Sequence, residues 1–127
     1  ITVEGCPETQ RIAKENFLEL GLGNVIPKAG EFSVVLPLIL SDEKPDMVFF
    51  DGNHRKGPTL DYFRLCKTVT STNAIFIFDD INWSTEMQEA WQEIKADPSV
   101  TVSVDLFYLG IVFFNPDLSK EDFILKY

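Results

Sequence analysis

The chain has 127 residues, enough for one domain around a single core but few for a complete nucleotide-type α/β enzyme. Eleven basic residues stand against 20 acidic ones, a net charge of −9 that repels phosphate backbones and anionic membranes, so neither nucleic acid nor membrane is expected as a partner. The 11 Phe and an aromatic content of 13% exclude a disordered chain, and the longest apolar runs, residues 32–40 and 106–114, are too short for a bilayer span and are broken by Pro37 and Gly110.

In chain order, Ile1-Thr2-Val3 reads as a short strand ending at Glu4-Gly5, and an opening in mid-strand without a methionine is what a fragment would show. Pro7 suits the first turn of a helix. Ile12, Ala13, Asn16, Phe17 and Leu20 recur at helical spacing and are assigned its inner face, with Gly21 and Gly23 as the stop. Residues 24–29 form a weaker strand closing at Gly30. Phe32, Val35, Leu36 and Ile39 make a helical stripe, in which Pro37 predicts a helix that is short or begins late.

Met47-Val48-Phe49-Phe50 is a strand. Pro58 starts a helix to about Val69, with Tyr62, Phe63, Cys66 and Val69 inward. Ala74-Ile75-Phe76-Ile77-Phe78 is the next strand. Ser84 or Thr85 then caps a helix in which Thr85 and Gln88 have capping-box spacing and Met87, Ala90, Trp91 and Ile94 form the inner stripe, ended by Asp97-Pro98. Residues 100–107 and 109–114 leave no room for a crossover helix and predict an antiparallel hairpin. The tail from Asn115 predicts a turn of helix capped by Ser119 before residues 123–127. Cys6 and Cys66 have neither metal nor redox spacing and read as two buried thiols of a reducing, cytoplasmic protein.

Strand and helix thus alternate four times before a hairpin, which predicts a single α/β domain over residues 1–127 with a mostly parallel sheet. The strands before Asp51 and Asp79 are apolar runs of the kind buried on both faces. Ligands in such folds bind outside the strand C-termini, so Asp51, His54, Asp79 and Asp80 are expected on one rim. The plain alternative is that these aspartates only form turns. His54, the sole histidine, is either a general base beside a carboxylate or a solvated loop residue. Trp83 either walls a substrate pocket or packs under a helix start.

This order, with Glu4 directly after the first strand, Gly30-Glu31-Phe32-Ser33, Phe49-Phe50-Asp51-Gly52-Asn53-His54 and Phe78-Asp79-Asp80-Ile81-Asn82-Trp83, resembles the class I S-adenosylmethionine-dependent methyltransferases, especially the small O-methyltransferases, from their second strand onward. The resemblance implies a Rossmann-like fold with helices on both faces of the sheet. It also implies that the first strand and its glycine-rich cofactor loop precede Ile1, since Gly21-Leu22-Gly23 follows a helix and is the wrong context for that loop.

By the same resemblance, Glu4 accepts hydrogen bonds from the cofactor ribose, with Gly5, Glu31 and Asp51 also on the cofactor side, while Asp51 and His54 are catalytic. In the metal-dependent branch an Asp and an Asp-Asn pair hold a divalent ion. Here Asp51, Asp79 and Asp80 correspond, with Asp80 in place of Asn, and would suit Mg²⁺ or another hard cation. The expected function is methyl transfer from S-adenosylmethionine to an oxygen of a small-molecule acceptor, weak or absent in this chain alone. The non-enzyme alternative is a Rossmann-like binding or structural module that has lost the cofactor, and a homo-oligomer is compatible with either. Gly52-Asn53-His54 also occurs in metallophosphoesterases, but those need several more histidines than the one present.

Overall fold

The computed structural model describes residues 1–126, which form two compact units divided between Glu43 and Lys44. In the first, strands β1 (Thr2–Glu4) and β2 (Pro27–Ala29) pair in parallel, with Thr2 opposite Pro27 and Glu4 opposite Ala29. Helix α1 (Pro7–Glu19) connects them, and α2 (Phe32–Asp42) follows β2. Pro7 occupies the first turn of α1 as its missing N–H requires, and Gly21, at φ +67°, turns the chain out of it.

The expected inner face of α1 is only partly realised. Ile12 and Leu20 are exposed, because three-residue strands cover little of a 13-residue helix. Pro37 neither shortens nor delays α2, which runs 11 residues through it. The bond that Pro37 cannot donate would have gone to the carbonyl of Ser33, an exposed residue whose carbonyl water can serve. Gly30, at φ +136°, has no substitute: a Cβ there would lie 2.8 Å from Val35 Cγ2.

The second unit has a five-stranded sheet in the order β3-β4-β6-β5-β7, from β3 (Met47–Phe50), β4 (Ile75–Phe78), β5 (Val102–Asp105), β6 (Gly110–Phe113) and β7 (Glu121–Ile124). β3 and β4 are parallel, β6 is antiparallel to both β4 and β5, and β7 is parallel to β5. The hairpin is therefore as predicted. The helical turn expected after Asn115 is not formed: β7 uses the open edge of β5, and Ser103 Oγ hydrogen-bonds the Asp122 carboxylate there. Tyr127 of that expected tail lies outside the described residues.

Helices α3 (Lys56–Lys67) and α4 (Thr85–Ala96) pack on each other. α3 starts two residues before Pro58. Ser84 caps α4, its Oγ accepting from Met87 N at 3.2 Å, so the Thr85/Gln88 box is not used. All four residues of the predicted α4 stripe are buried, as are Phe63 and Cys66 of α3.

The core lies on one face of the sheet. Phe50 stacks on Phe78 with centroids 4.5 Å apart, Phe76 meets Phe114 edge-on at 4.8 Å, and Phe63 and Trp91 close over them. The strand registers place Met47, Phe49, Ile75, Ile77, Ile111 and Phe113 on the other face. There Met47 is 62% and Phe49 52% exposed, so β3 is not buried on both faces as its sequence suggested; its side chains alternate between core and open face. Of the two cysteines expected to be buried, only Cys66 is, and burial pushes its thiol up to about 12. Cys6 is exposed just before α1, where its hydrogen bond with Thr9 lowers its pKa.

Candidate active site

Because β3 and β4 run parallel with Phe50 opposite Phe78, and Asp79 N donates to Phe50 O at 2.9 Å, the residues that leave the two strands start side by side. The carboxyls of Asp51 and Asp79 are therefore neighbours. Burial first, and then the charge and hydrogen bond of Asp79, raise the Asp51 pKa above the ordinary carboxylate range.

The chain then reverses. Asn53 takes a left-handed conformation at φ +53°, which Asn tolerates better than most residues, and Arg55 N donates to Asn53 O at 2.5 Å. This returns His54 to the strand end, with Nε2 3.6 Å from Asp51 Oδ1 and Nδ1 4.0 Å from Asp80 Oδ2. The imidazole, mostly buried, thus stands between two carboxylates in ion-pair range but beyond direct hydrogen-bond distance. Asp80 is itself left-handed, at φ +55°. Asp51, His54, Asp79 and Asp80 are therefore gathered on one rim.

Among the described residues no group of three or more His, Cys, Asp or Glu is arranged to hold a metal ion. The Asp80 carboxylate faces the imidazole, and Asp51, Asp79 and Asp80 are not brought together as a ligand set in this geometry. Trp83, at 73% exposure, does not pack under the start of α4.

Sequence reasoning missed the β5–β6 turn. Ile81 N donates to Tyr108 O at 3.2 Å and Asn82 Nδ2 to Phe107 O at 2.8 Å, which ties the turn to the loop carrying Asp79 and Asp80. The turn brings exposed Phe107 and Tyr108, in edge-to-face contact at 4.9 Å, to the same loop. The pairing of Phe78 with Gly110 puts it there, and only the register between β4 and β6, which sequence does not fix, would have revealed it.

In the first unit Glu4 closes β1, and its Oε1 accepts from Cys6 N at 2.7 Å, which fixes the direction of the carboxylate. Gly5 is not demanded by packing, since an added Cβ would meet only Gly30 O at 3.9 Å. Glu31 is exposed at the entrance to α2, where its carbonyl accepts from Val34 N and Val35 N but its side chain makes no capping hydrogen bond.

Comparison with known proteins gives these features a context. The profile of the family described as "Methyltransferase domain" matches residues 1–81, a span that contains Glu4, Glu31, Asp51, His54, Asp79 and Asp80. No curated protein matches. Among solved structures, the methyltransferase PaMTH1 of Podospora anserina, bound to SAH, superposes with a TM-score of 0.74 at 16% identity over 89% of this chain and 59% of its own. An O-methyltransferase from Bacillus cereus in complex with SAH gives 0.70 at 19% identity over 88% and 61%. The chain thus spans about three fifths of the length of these structures, and its fold is the Rossmann-like α/β fold they share.

Proposed function

The chain belongs to the methyltransferase-domain family, and we propose that it forms part of an enzyme that methylates an oxygen of a small-molecule acceptor at the expense of S-adenosylmethionine. The observation that carries this reading is the His54 imidazole held between Asp51 and Asp80 at the strand ends, a proton acceptor at the rim where this fold class binds its ligands.

When bound, the cofactor supplies an electrophilic methyl group on a sulfonium. Glu4 fits it: an acceptor-only carboxylate, oriented by Cys6 N through Oε1, has Oε2 to offer a ribose hydroxyl, with Gly5 and Glu31 alongside. Asp51 and His54 act on the acceptor. His54 would take the proton of the acceptor hydroxyl, whose oxygen would receive the methyl group that the cofactor supplies, and the adjacent carboxylates would stabilise the imidazolium. No step is assigned to a cation, because Asp51, Asp79 and Asp80 do not form a ligand set. The SAH bound in the two solved relatives supports the choice of cofactor.

Cofactor affinity of the 127 residues alone is weak in this reading, since Gly21 and Gly23 follow α1 and cannot serve as a cofactor loop. Calorimetry with S-adenosylhomocysteine tests both parts. Sub-micromolar binding by this chain would overturn the second. In the longest natural protein containing it, Glu4→Gln is expected to weaken binding by roughly 10- to 100-fold, the value of charged hydrogen bonds lost; unchanged affinity would remove Glu4 from the site.

A further inference from the structure

The loop after β4 contains a conformation that its own residues do not explain. Asp80 sits at φ +55°, a region that non-glycine residues enter at a cost, and it is this backbone that turns its carboxylate towards His54 Nδ1. Asp79 N, donating to Phe50 O at 2.9 Å, fixes the start of the loop, and Trp83 N, donating to Asp80 O at 2.9 Å, closes the turn. The remaining restraints come from the β5–β6 turn, about 25 residues later in sequence. Ile81 N donates to Tyr108 O, and the buried Ile81 side chain anchors the same point. Asn82 Nδ2 donates to Phe107 O.

The acceptor end of this link is itself clamped. Phe107 is left-handed, at φ +70°, and its N–H donates to Asp105 Oδ1 at 2.8 Å, while Asp105 Oδ2 accepts from Trp91 Nε1 of α4 at 3.2 Å. Leu106 N donates to Leu109 O at 2.8 Å and closes the turn. A rigid turn, held to the core through Trp91, therefore presents two carbonyl oxygens to the two residues directly after Asp80.

We propose that Asn82 is a positioning residue: by tying the acidic loop to the clamped β5–β6 turn, it holds Asp80 in the left-handed conformation that sets its carboxylate beside His54. Its importance for methyl transfer rests on the function proposed above, whereas its structural effect does not.

The test uses the single histidine of the chain as a reporter. In isotope-labelled protein at one fixed pH, nuclear Overhauser contacts from the His54 ring to the Asp80 β-protons are compared between wild type, Asn82→Asp and Asn82→Ala. The first variant removes the donor at constant shape, the second without adding charge. Both are expected to lose at least about half of the contact intensity and to exchange the Ile81 amide roughly 5- to 10-fold faster, the worth of one hydrogen bond. The amides of Phe76 and Val112 should keep their wild-type exchange. Retained His54–Asp80 contacts in a folded variant would overturn the proposal. If one variant loses the core resonances, the other decides by the same criterion. Since the readout needs no cofactor, failure here is distinct from failure of S-adenosylhomocysteine to bind.

Discussion

At the scale of single residues, Gly110 shows how packing rather than backbone conformation selects a glycine. An added Cβ would lie 2.7 Å from the Trp91 ring and 3.0 Å from Ile81, both fully buried, so neither neighbour has space to retreat. Gly110→Ala is expected to destabilise the fold by about 1–3 kcal/mol in urea titration, through overpacking at the point where β6 meets the base of the acidic loop. The acids themselves were legible in sequence because each directly follows an apolar strand. Their partners were not. Nothing in the order of residues says that Asp79 raises the Asp51 pKa or that Asn82 reaches Phe107, since both depend on strand register.

At the scale of elements, the helices were read most securely where apolar periodicity and termini agreed, as in α4. They were misread where one local rule stood alone. Pro37 suggested an interruption, yet a single lost hydrogen bond did not outweigh an otherwise apolar helix. The tail offered a cap-like Ser119, but an open strand edge at β5 provided backbone partners that an isolated turn could not match.

One contact at the end of α4 gives a pH-dependent prediction. Burial opposes ionisation of Asp97, but Lys67 Nζ at 2.5 Å and hydrogen bonds from Ser99 prevail and hold its pKa below the ordinary 3.8. A carboxylate depressed on folding adds stability above its unfolded pKa and loses it as the pH falls through the folded one. Wild type should therefore exceed Asp97→Asn by roughly 1–2 kcal/mol at pH 7, a gap that closes as urea midpoints are followed down from about pH 4. A constant gap would mean that Asp97 acts through shape alone.

At the scale of the whole molecule, alternation of strand and helix was enough to indicate the fold class, because a parallel sheet with crossover helices is almost the only arrangement that buries such a pattern. How burial is shared between the two units was not legible. Nearly all fully buried side chains belong to the second unit, among them Phe63, Phe76, Phe78, Trp91 and Val112, whereas buried positions in the first are confined to Gln10 and Leu40. Hydrogen exchange should accordingly find the slowest amides in β4 and β6, and amides of β1 and β2 exchanging faster by at least about tenfold. Equal protection in the two units would contradict this.

The half-open face of the five-stranded sheet has a further consequence for how copies of the molecule behave together. Met47 and Phe49 present apolar surface beside a β3 edge that has no strand partner among the described residues, a combination that favours self-association, while the charge of −9 pushes copies apart. The balance between these depends on ionic strength. Repulsion that reaches about 30 Å at 0.01 M salt is confined to about 3 Å at 1 M, so association through β3 is expected to increase with salt.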